Sequence, residues 1–214
     1  MAALTYAQLV AEVQSYTENQ FSTTDIDTFI KQAEERIYNT VQIPDLRRNQ
    51  TGTTTLGNKY LSLPADWLAT YSVAVINSDN EYTYLLNKDV NFIRESFPDI
   101  DSAFYGKPQY YGIFDDNTFI LGPTPDANYT VELHYFYYPT SIVTTGTSWL
   151  GNNFSSALLY GTLLEAATYM KEEADILANY NQRYTEALSM LKQLGDGKDR
   201  TDAYRTGQAL YPVQ

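Results

Sequence analysis

The spacing of apolar residues changes twice along this chain, and that change constrains the fold more than any other feature. Near both ends, apolar side chains recur three or four positions apart, which predicts amphipathic helices. Between about residues 50 and 140 they alternate with polar positions, which predicts strands with one buried face. Strands grouped between two sets of helices indicate an α+β fold.

We therefore expect a helical bundle built from the N- and C-terminal helices. Between them we place a β-rich insertion with antiparallel strands, sandwich-like or barrel-like in form, and after them an extended C-terminal arm. The expected boundaries are residues 1–48 and 150–195 for the bundle, 49–149 for the insertion and 196–214 for the arm.

Two helices are expected before residue 48. Thr5 and Gln8 have the spacing of a capping box, in which each side chain bonds the other residue's backbone N–H, so the first helix begins there. The second helix begins near Thr24 and ends before Pro44, because the residue preceding a proline disfavours helical geometry. Its apolar stripe contains Ile26, Phe29, Ile30, Ala33, Ile37 and Val41.

The β-rich insertion contains three expected strand pairs. Residues 51–56 and 60–63 flank Gly57 and Asn58, a pair of turn residues, and this predicts a hairpin. Two further pairs flank polar turns at residues 77–80 and 115–117. The clearest strand covers residues 129–138, with one apolar face, and a short helix is expected over about residues 89–97.

Helical spacing returns after Trp149. Asn152 or Asn153 can cap a buried helix that runs to about Lys171, and a longer amphipathic helix covers residues 172–194. Gly195 is expected to end that helix, since glycine readily adopts the left-handed conformation found at helix C-termini. The remaining residues show little periodicity, which predicts the extended arm.

The net charge argues against two kinds of partner. Acidic residues outnumber basic ones by 26 to 14, giving a formal charge of −12, to which residues 49–149 contribute −7. An acidic chain of this kind binds weakly to nucleic-acid phosphates and to anionic membranes. Cysteine is absent, which excludes disulfides and thiolate metal sites. The first 20 residues have no basic start followed by an apolar block, so we expect no signal peptide and an intracellular protein.

Tyrosine is unusually common, with 20 residues in 214. Its large ring and polar tip suit surfaces that are wet alone and buried with a partner. Strands also favour aromatic residues, so both explanations stay open.

The search for catalytic residues yields two candidates. His134, the one histidine, lies on the polar face of the 129–138 strand beside Glu132, where a structural role across strands competes with proton transfer. Glu165 lies in the apolar helix after residue 152, where a carboxylate has a raised pKa and can act as a general acid, or can be a buried structural carboxylate. Neither has a catalytic partner at motif spacing, so we expect no enzyme, no metal site and no cofactor.

The order of helices, strands, helices and arm resembles the head-to-tail adaptor, or head-completion connector, proteins of tailed bacteriophages. The segments that carry the likeness are 4–6, 26–30, 33–37, 63–67 (Leu-Pro-Ala-Asp-Trp), 106–108 (Gly-Lys-Pro), 121–126, 129–138 and 159–167.

The resemblance implies a structural protein of the virion, located at the head–tail interface and assembled in the host cytoplasm. It implies a homo-oligomeric ring of about twelve copies beneath the portal protein, which extends the DNA channel and carries a tail or nozzle protein. DNA would pass through without specific binding. We further expect the arm to dock on the portal through Arg200, Tyr204, Arg205, Leu210 and Tyr211.

Two other functions stay open. An acidic, tyrosine-rich β domain suits a carbohydrate-binding module of the virion, because sugars stack on aromatic rings and bond to carboxylates. A glycoside hydrolase that uses Glu165 as its acid would require a second carboxylate nearby.

Overall fold

The computed structural model of the chain describes residues 4–41, 43–98 and 101–199. The chain forms two compact units. The helical unit contains the residues up to Leu46 and those from Tyr138 onward, and the β unit contains Arg47–Tyr137. The expected α+β fold is confirmed. The described helices are α1 (Tyr6–Thr17), α2 (Thr23–Thr40), α3 (Val90–Ser96), α4 (Ile142–Thr145), α5 (Trp149–Asn153), α6 (Ser155–Met170) and α7 (Ala174–Asp199). The described strands are β1 (Arg47–Thr53), β2 (Tyr60–Ser62), β3 (Ala69–Ile76), β4 (Tyr82–Tyr84), β5 (Leu86–Asn87), β6 (Tyr110–Asp115), β7 (Thr118–Gly122) and β8 (Thr130–Phe136).

The first two helices begin at side-chain caps. Thr5 and Gln8 form the expected capping box, in which the Thr5 N–H donates to Gln8 Oε1 at 2.9 Å. At the start of α2, the Ser22 hydroxyl oxygen accepts the Asp25 N–H at 3.2 Å. Both caps satisfy backbone donors that a helix N-terminus otherwise leaves unpaired.

The core of the helical unit surrounds α6, which packs against α1, α2 and α7. The apolar residues of α6 lie on nearly all its sides, so most of the helix is buried. At Gly161, a Cβ atom would come within 3.2 Å of both Ala33 and Tyr184, so a larger residue would push α2 or α7 a few tenths of an ångström away from α6. Helix packing here therefore depends on a missing side chain.

Within its described residues, the β unit contains two four-stranded sheets, in the orders β1-β8-β3-β4 and β2-β7-β6-β5. Among these strands, all pairs are antiparallel except β5 with β6. One apolar cluster draws on both sheets: Val73 and Val75 of β3, Tyr111, Phe119 and Leu121 of β6 and β7, Val131, Leu133 and Tyr135 of β8, and Leu85. In β8 the buried and more exposed residues alternate as expected.

The β unit begins and ends on neighbouring strands. Arg47, the first residue of β1, is paired with Phe136, the last residue of β8. Opposite residues in an antiparallel pair have Cα atoms about 5 Å apart. The chain therefore enters and leaves the β unit at adjacent points.

The expected hairpin between residues 51–56 and 60–63 is wrong. β1 pairs with β8, and β2 pairs with β7 in the other sheet. The connecting residues bond elsewhere: the Thr54 N–H donates to the Tyr129 carbonyl at 2.9 Å, and the Gly57 N–H to the Pro125 carbonyl at 2.9 Å. These distant acceptors outweigh the local turn signal. The pairs β3 with β4 and β6 with β7 form as expected.

Two expected helix ends are also wrong. Asn152 and Asn153 lie inside α5, whose cap is Ser148, and α6 begins after Phe154 without a side-chain cap. The last helix does not stop at Gly195, because α7 continues to Asp199. An interior glycine costs a helix only about 1 kcal/mol, which the rest of a long helix outweighs.

Candidate interaction surfaces

The outer face of the β1-β8-β3-β4 sheet, on the side away from the apolar cluster, carries a group of aromatic side chains. Strand registers place them there: Tyr84 lies opposite Ala74, and Ala74 opposite Glu132 of the polar face of β8. Tyr82 and Tyr84 stack with ring centres 6.3 Å apart and are 51% and 64% exposed. We call this group the outer aromatic face; its members are Tyr71, Tyr82, Tyr84, His134 and Phe136.

Tyr71 is held at one end of the outer aromatic face by several contacts. The register of β3 against β8 shifts between Thr70 and Ser72, so Tyr71 is the additional residue of a bulge. Its ring centre lies 4.8 Å from that of His134 and 4.7 Å from the Arg47 guanidinium carbon. His134 therefore packs against the ring of Tyr71, a contact that suits a structural role. Tyr71 itself remains 53% exposed.

A cleft of about 180 Å³ opens between β1 and β2, the edge strands of the two sheets. Its apolar lining comes from Leu61 and Leu63 near β2 and from Val131 and Leu133 of β8. On the β1 side it is lined by Gln50, Thr51 and Gly52. Because β1 and β2 do not form a hairpin, this part of the apolar cluster is reached from solvent.

A hydrogen-bonded network fixes the end of the cleft near Gln50. The buried Tyr135 hydroxyl donates to Asp66 Oδ1 at 2.9 Å and lies 3.2 Å from Gln50 Oε1. Arg48 Nη1 donates to Asp66 Oδ2 at 2.8 Å. Burial, followed by the hydrogen bond to Asp66, raises the pKa of Tyr135 to about 12. The tyrosine is thus a neutral donor at physiological pH.

Glu165 lies in the helical unit, on a surface groove of about 290 Å³ between α2 and α6. Its side chain is 13% exposed and forms an ion pair with Arg36 of α2. The groove also contains Asp25, whose Oδ2 accepts the Ser22 hydroxyl at 2.7 Å. Both carboxylates therefore have partners, and this arrangement suits packing of two helices better than acid catalysis.

The same groove is bordered by aromatic rings. The Phe29 and Tyr169 ring centres lie 5.2 Å apart, and Phe21 packs edge-on against Phe29 at 5.4 Å. Tyr169 is 58% exposed. The helical unit therefore has its own exposed aromatic site, on different elements from the outer aromatic face.

Sequence reasoning missed Glu34 of α2, which is 3% exposed. The Ile142 N–H donates to its Oε1 at 3.0 Å, and Ser141 provides a further hydrogen bond. Burial raises the pKa of Glu34, and these hydrogen bonds oppose the shift. The signal was in the sequence: Glu34 lies four residues after Ile30 and three before Ile37, inside the apolar stripe.

The five predicted arm anchors, Arg200, Tyr204, Arg205, Leu210 and Tyr211, lie outside the described residues. Within residues 4–41, 43–98 and 101–199, no group of three acidic or histidine side chains could hold a metal ion. Of the helices in these ranges, none combines the length and apolar character that a membrane span needs.

Comparison with known proteins identifies a family. A model described as "SU10 adaptor protein" matches residues 4–210, and the chain therefore belongs to the SU10 adaptor protein family. No curated protein sequence matches the chain. Membership indicates a structural role as a phage adaptor, in contact with other head and tail proteins of the virion.

Proposed function

We propose that this SU10 adaptor protein forms a ring of about twelve copies beneath the portal, extends the DNA channel and carries the tail or nozzle protein. The observation that supports this proposal best is the outer aromatic face. Three of its tyrosines are more than half exposed, although they lie on strands of a sheet. Aromatic residues are enriched in the buried centres of protein interfaces. We assign this face to the tail-side partner.

The charge of the chain is consistent with a DNA channel. A net charge of −12 gives little attraction for phosphates, and the β-rich segment contributes most of it. A channel through which DNA must slide benefits from weak binding, since each neutralised phosphate releases counterions and adds affinity. DNA is therefore proposed to pass through the ring without being held by it.

The assembly state is the first experiment. The native mass of the purified chain is measured with and without the portal protein, and the particles are imaged by negative stain. We expect a closed species of about twelve copies, either alone or on the portal. A chain that stays monomeric and does not bind the portal would refute the proposal.

The role of the outer aromatic face is tested with Tyr82→Ser/Tyr84→Ser. We expect unchanged ring mass and at least a tenfold loss of tail-protein binding, because two large exposed rings are removed. The matched control is Tyr16→Ser, since Tyr16 is 52% exposed but lies on α1 of the helical unit. Equal effects from both variants would contradict the assignment. Glycan binding that depends on Tyr82 and Tyr84 would favour the carbohydrate-binding alternative.

A further inference from the structure

β1 is an unusual edge strand. It is seven residues long, and its six residues from Arg48 onward are exposed. Proteins commonly protect such edges with prolines, bulges or charges. Residues 49–53 (Asn-Gln-Thr-Gly-Thr) contain no proline or charge, and β1 pairs with β8 without a register shift. An edge of this kind accepts an additional strand.

The register shows which backbone groups are available. The Thr54 N–H bonds to the Tyr129 carbonyl, and hydrogen bonding alternates along an antiparallel pair, so Gln50 and Gly52 also bond toward β8. Asn49, Thr51 and Thr53 then direct their N–H and C=O groups away from β8. Within the part of the chain that the structure describes, these groups face the free edge of the sheet.

An added strand would bring alternate side chains into the cleft. Residues bonded to Thr51 would point their side chains to the outer face, and their neighbours would point theirs inward, toward Leu61 and Leu133. Space exists there, because a Cβ atom at Gly52 would meet nothing within 4 Å. The inward residues of the added strand would direct their own N–H groups away from β1, so a proline is tolerated at these positions.

We propose that residues 209–213 of a neighbouring copy, Ala-Leu-Tyr-Pro-Val, add to β1 as this strand. The sequence has the required alternation. Leu210 and Pro212 are two residues apart, so both apolar side chains would lie on the inward face. Proline has no backbone N–H, but at position 212 β1 does not need one. In an antiparallel addition, Val213, Tyr211 and Ala209 then supply the backbone groups that bond to Asn49, Thr51 and Thr53, in that order. Main-chain bonds give affinity, and the cleft selects the alternate side chains.

The geometry of a ring favours a neighbouring copy. Each subunit in a ring needs a donor surface and a different acceptor surface, and the arm and the cleft are such a pair. Nine residues, 200–208, separate Asp199 from Ala209, and this connection spans at most about 35 Å when extended. The inference rests on the proposed ring, and it gives Leu210 and Tyr211 a partner other than the portal.

Disulfide trapping tests the inference, and the absence of cysteine from the chain gives a clean background. Two full-length variants are mixed, one with Thr51→Cys and the other with Tyr211→Cys, and oxidised under the conditions in which the ring forms. Hydrogen-bonded partners in a sheet have the Cα separation that a disulfide needs. We expect a crosslinked dimer, and at least tenfold less of it when the exposed turn residue Asp79→Cys replaces Thr51→Cys.

The cleft is tested by filling it. Gly52→Leu in the chain that carries Thr51→Cys should reduce the crosslink at least fivefold, because Leu210 loses its space. Thr53→Leu, with the same side chain on the opposite face of β1, should retain it. The inference is refuted by a crosslink that Gly52→Leu leaves unchanged, or by capture of Tyr211→Cys on the portal. It is also refuted if a chain that carries both Thr51→Cys and Tyr211→Cys closes a disulfide within itself while the mixture of single variants gives no crosslinked dimer.

The same samples separate this inference from the proposed function. Their native mass is measured before oxidation. A ring without the crosslink would overturn the strand addition alone. A chain that neither forms a ring nor binds the portal would overturn the proposed function as well.

Discussion

Replacing Glu34 tests how the helical unit holds the chain that returns from the β unit. Its carboxylate is buried in α2 and accepts the backbone N–H of Ile142 at the start of α4. In Glu34→Ala that N–H is left buried without an acceptor, which costs about 1–3 kcal/mol. The lost packing of the Cγ methylene group adds about 0.8 kcal/mol. We therefore expect the free energy of unfolding to fall by about 2–4 kcal/mol.

Glu34→Gln provides the matched control. Its amide oxygen still accepts the Ile142 N–H, and the burial of a charge is avoided. We expect it to be at least as stable as the native chain near neutral pH. Urea unfolding followed by circular dichroism measures both variants. The reasoning is refuted if Glu34→Ala loses less than about 0.5 kcal/mol, or if Glu34→Gln is destabilised as much as Glu34→Ala.

The contribution of Glu34 to the free energy of unfolding should change with pH in a defined direction. Burial raises the folded-state pKa of Glu34 above its ordinary value, so between the two values the folded state binds more protons than the unfolded state. Stability from this group therefore rises as the pH falls through the raised pKa, and levels off below the ordinary pKa. Comparison of the native chain with Glu34→Gln between pH 4 and pH 8 isolates this contribution. A stability difference that does not change with pH would contradict the raised pKa.

Three further predictions concern packing and electrostatics. Gly161→Val should lower the free energy of unfolding by about 2 kcal/mol or more in urea, because its side chain would meet Ala33 and Tyr184, whereas Gly52→Val should be neutral within about 0.5 kcal/mol. Asp66→Asn should lower the pKa of Tyr135 below about 12, because the carboxylate that favours the neutral phenol is removed. Ultraviolet titration measures this change. The pKa of Tyr129, which bonds to Asp126, should be unchanged. Arg36→Ala should cost only about 1 kcal/mol or less in urea, since the Arg36 side chain is 44% exposed; a much larger loss would show that the ion pair with Glu165 is a principal support of the helix packing.

Local patterns predicted much of the fold. The capping box at Thr5, the helical stripe of α2 and the alternation in β8 each follow from residues that are close in sequence, and the structure has all three. In each case, residues a few positions apart in the sequence determine which side chains share a face, so the sequence alone predicts the feature. The α+β class follows from their order.

Strand partners were harder to predict, because distant residues compete with local turns. Gly57 and Asn58 are a proper turn signal, and Gly57 does adopt a left-handed φ of 74°. The chain turns there, but the strands before and after it join different sheets. No local pattern states that Tyr129 will accept the Thr54 N–H, so the cleft between β1 and β2 could not be predicted.

Functional surfaces were predicted only as a class. The number of tyrosines suggested interfaces, and the alternation in β8 placed Tyr135, which is fully buried, on the apolar face, but no pattern showed that Tyr84 would be largely exposed. Both lie in strands with alternating patterns. The difference depends on which sheet face meets the apolar cluster, and strand registers decide that.

The adjacent entry and exit of the β unit have an evolutionary consequence. Because Arg47 and Phe136 are paired neighbours, the whole segment between them is joined to the rest of the chain by two strands at one place. A segment with such ends can be removed and the cut closed by a short loop, or exchanged for another domain whose termini are equally close. Related chains could in this way exchange the β unit, together with the surface it carries, while keeping the helical unit.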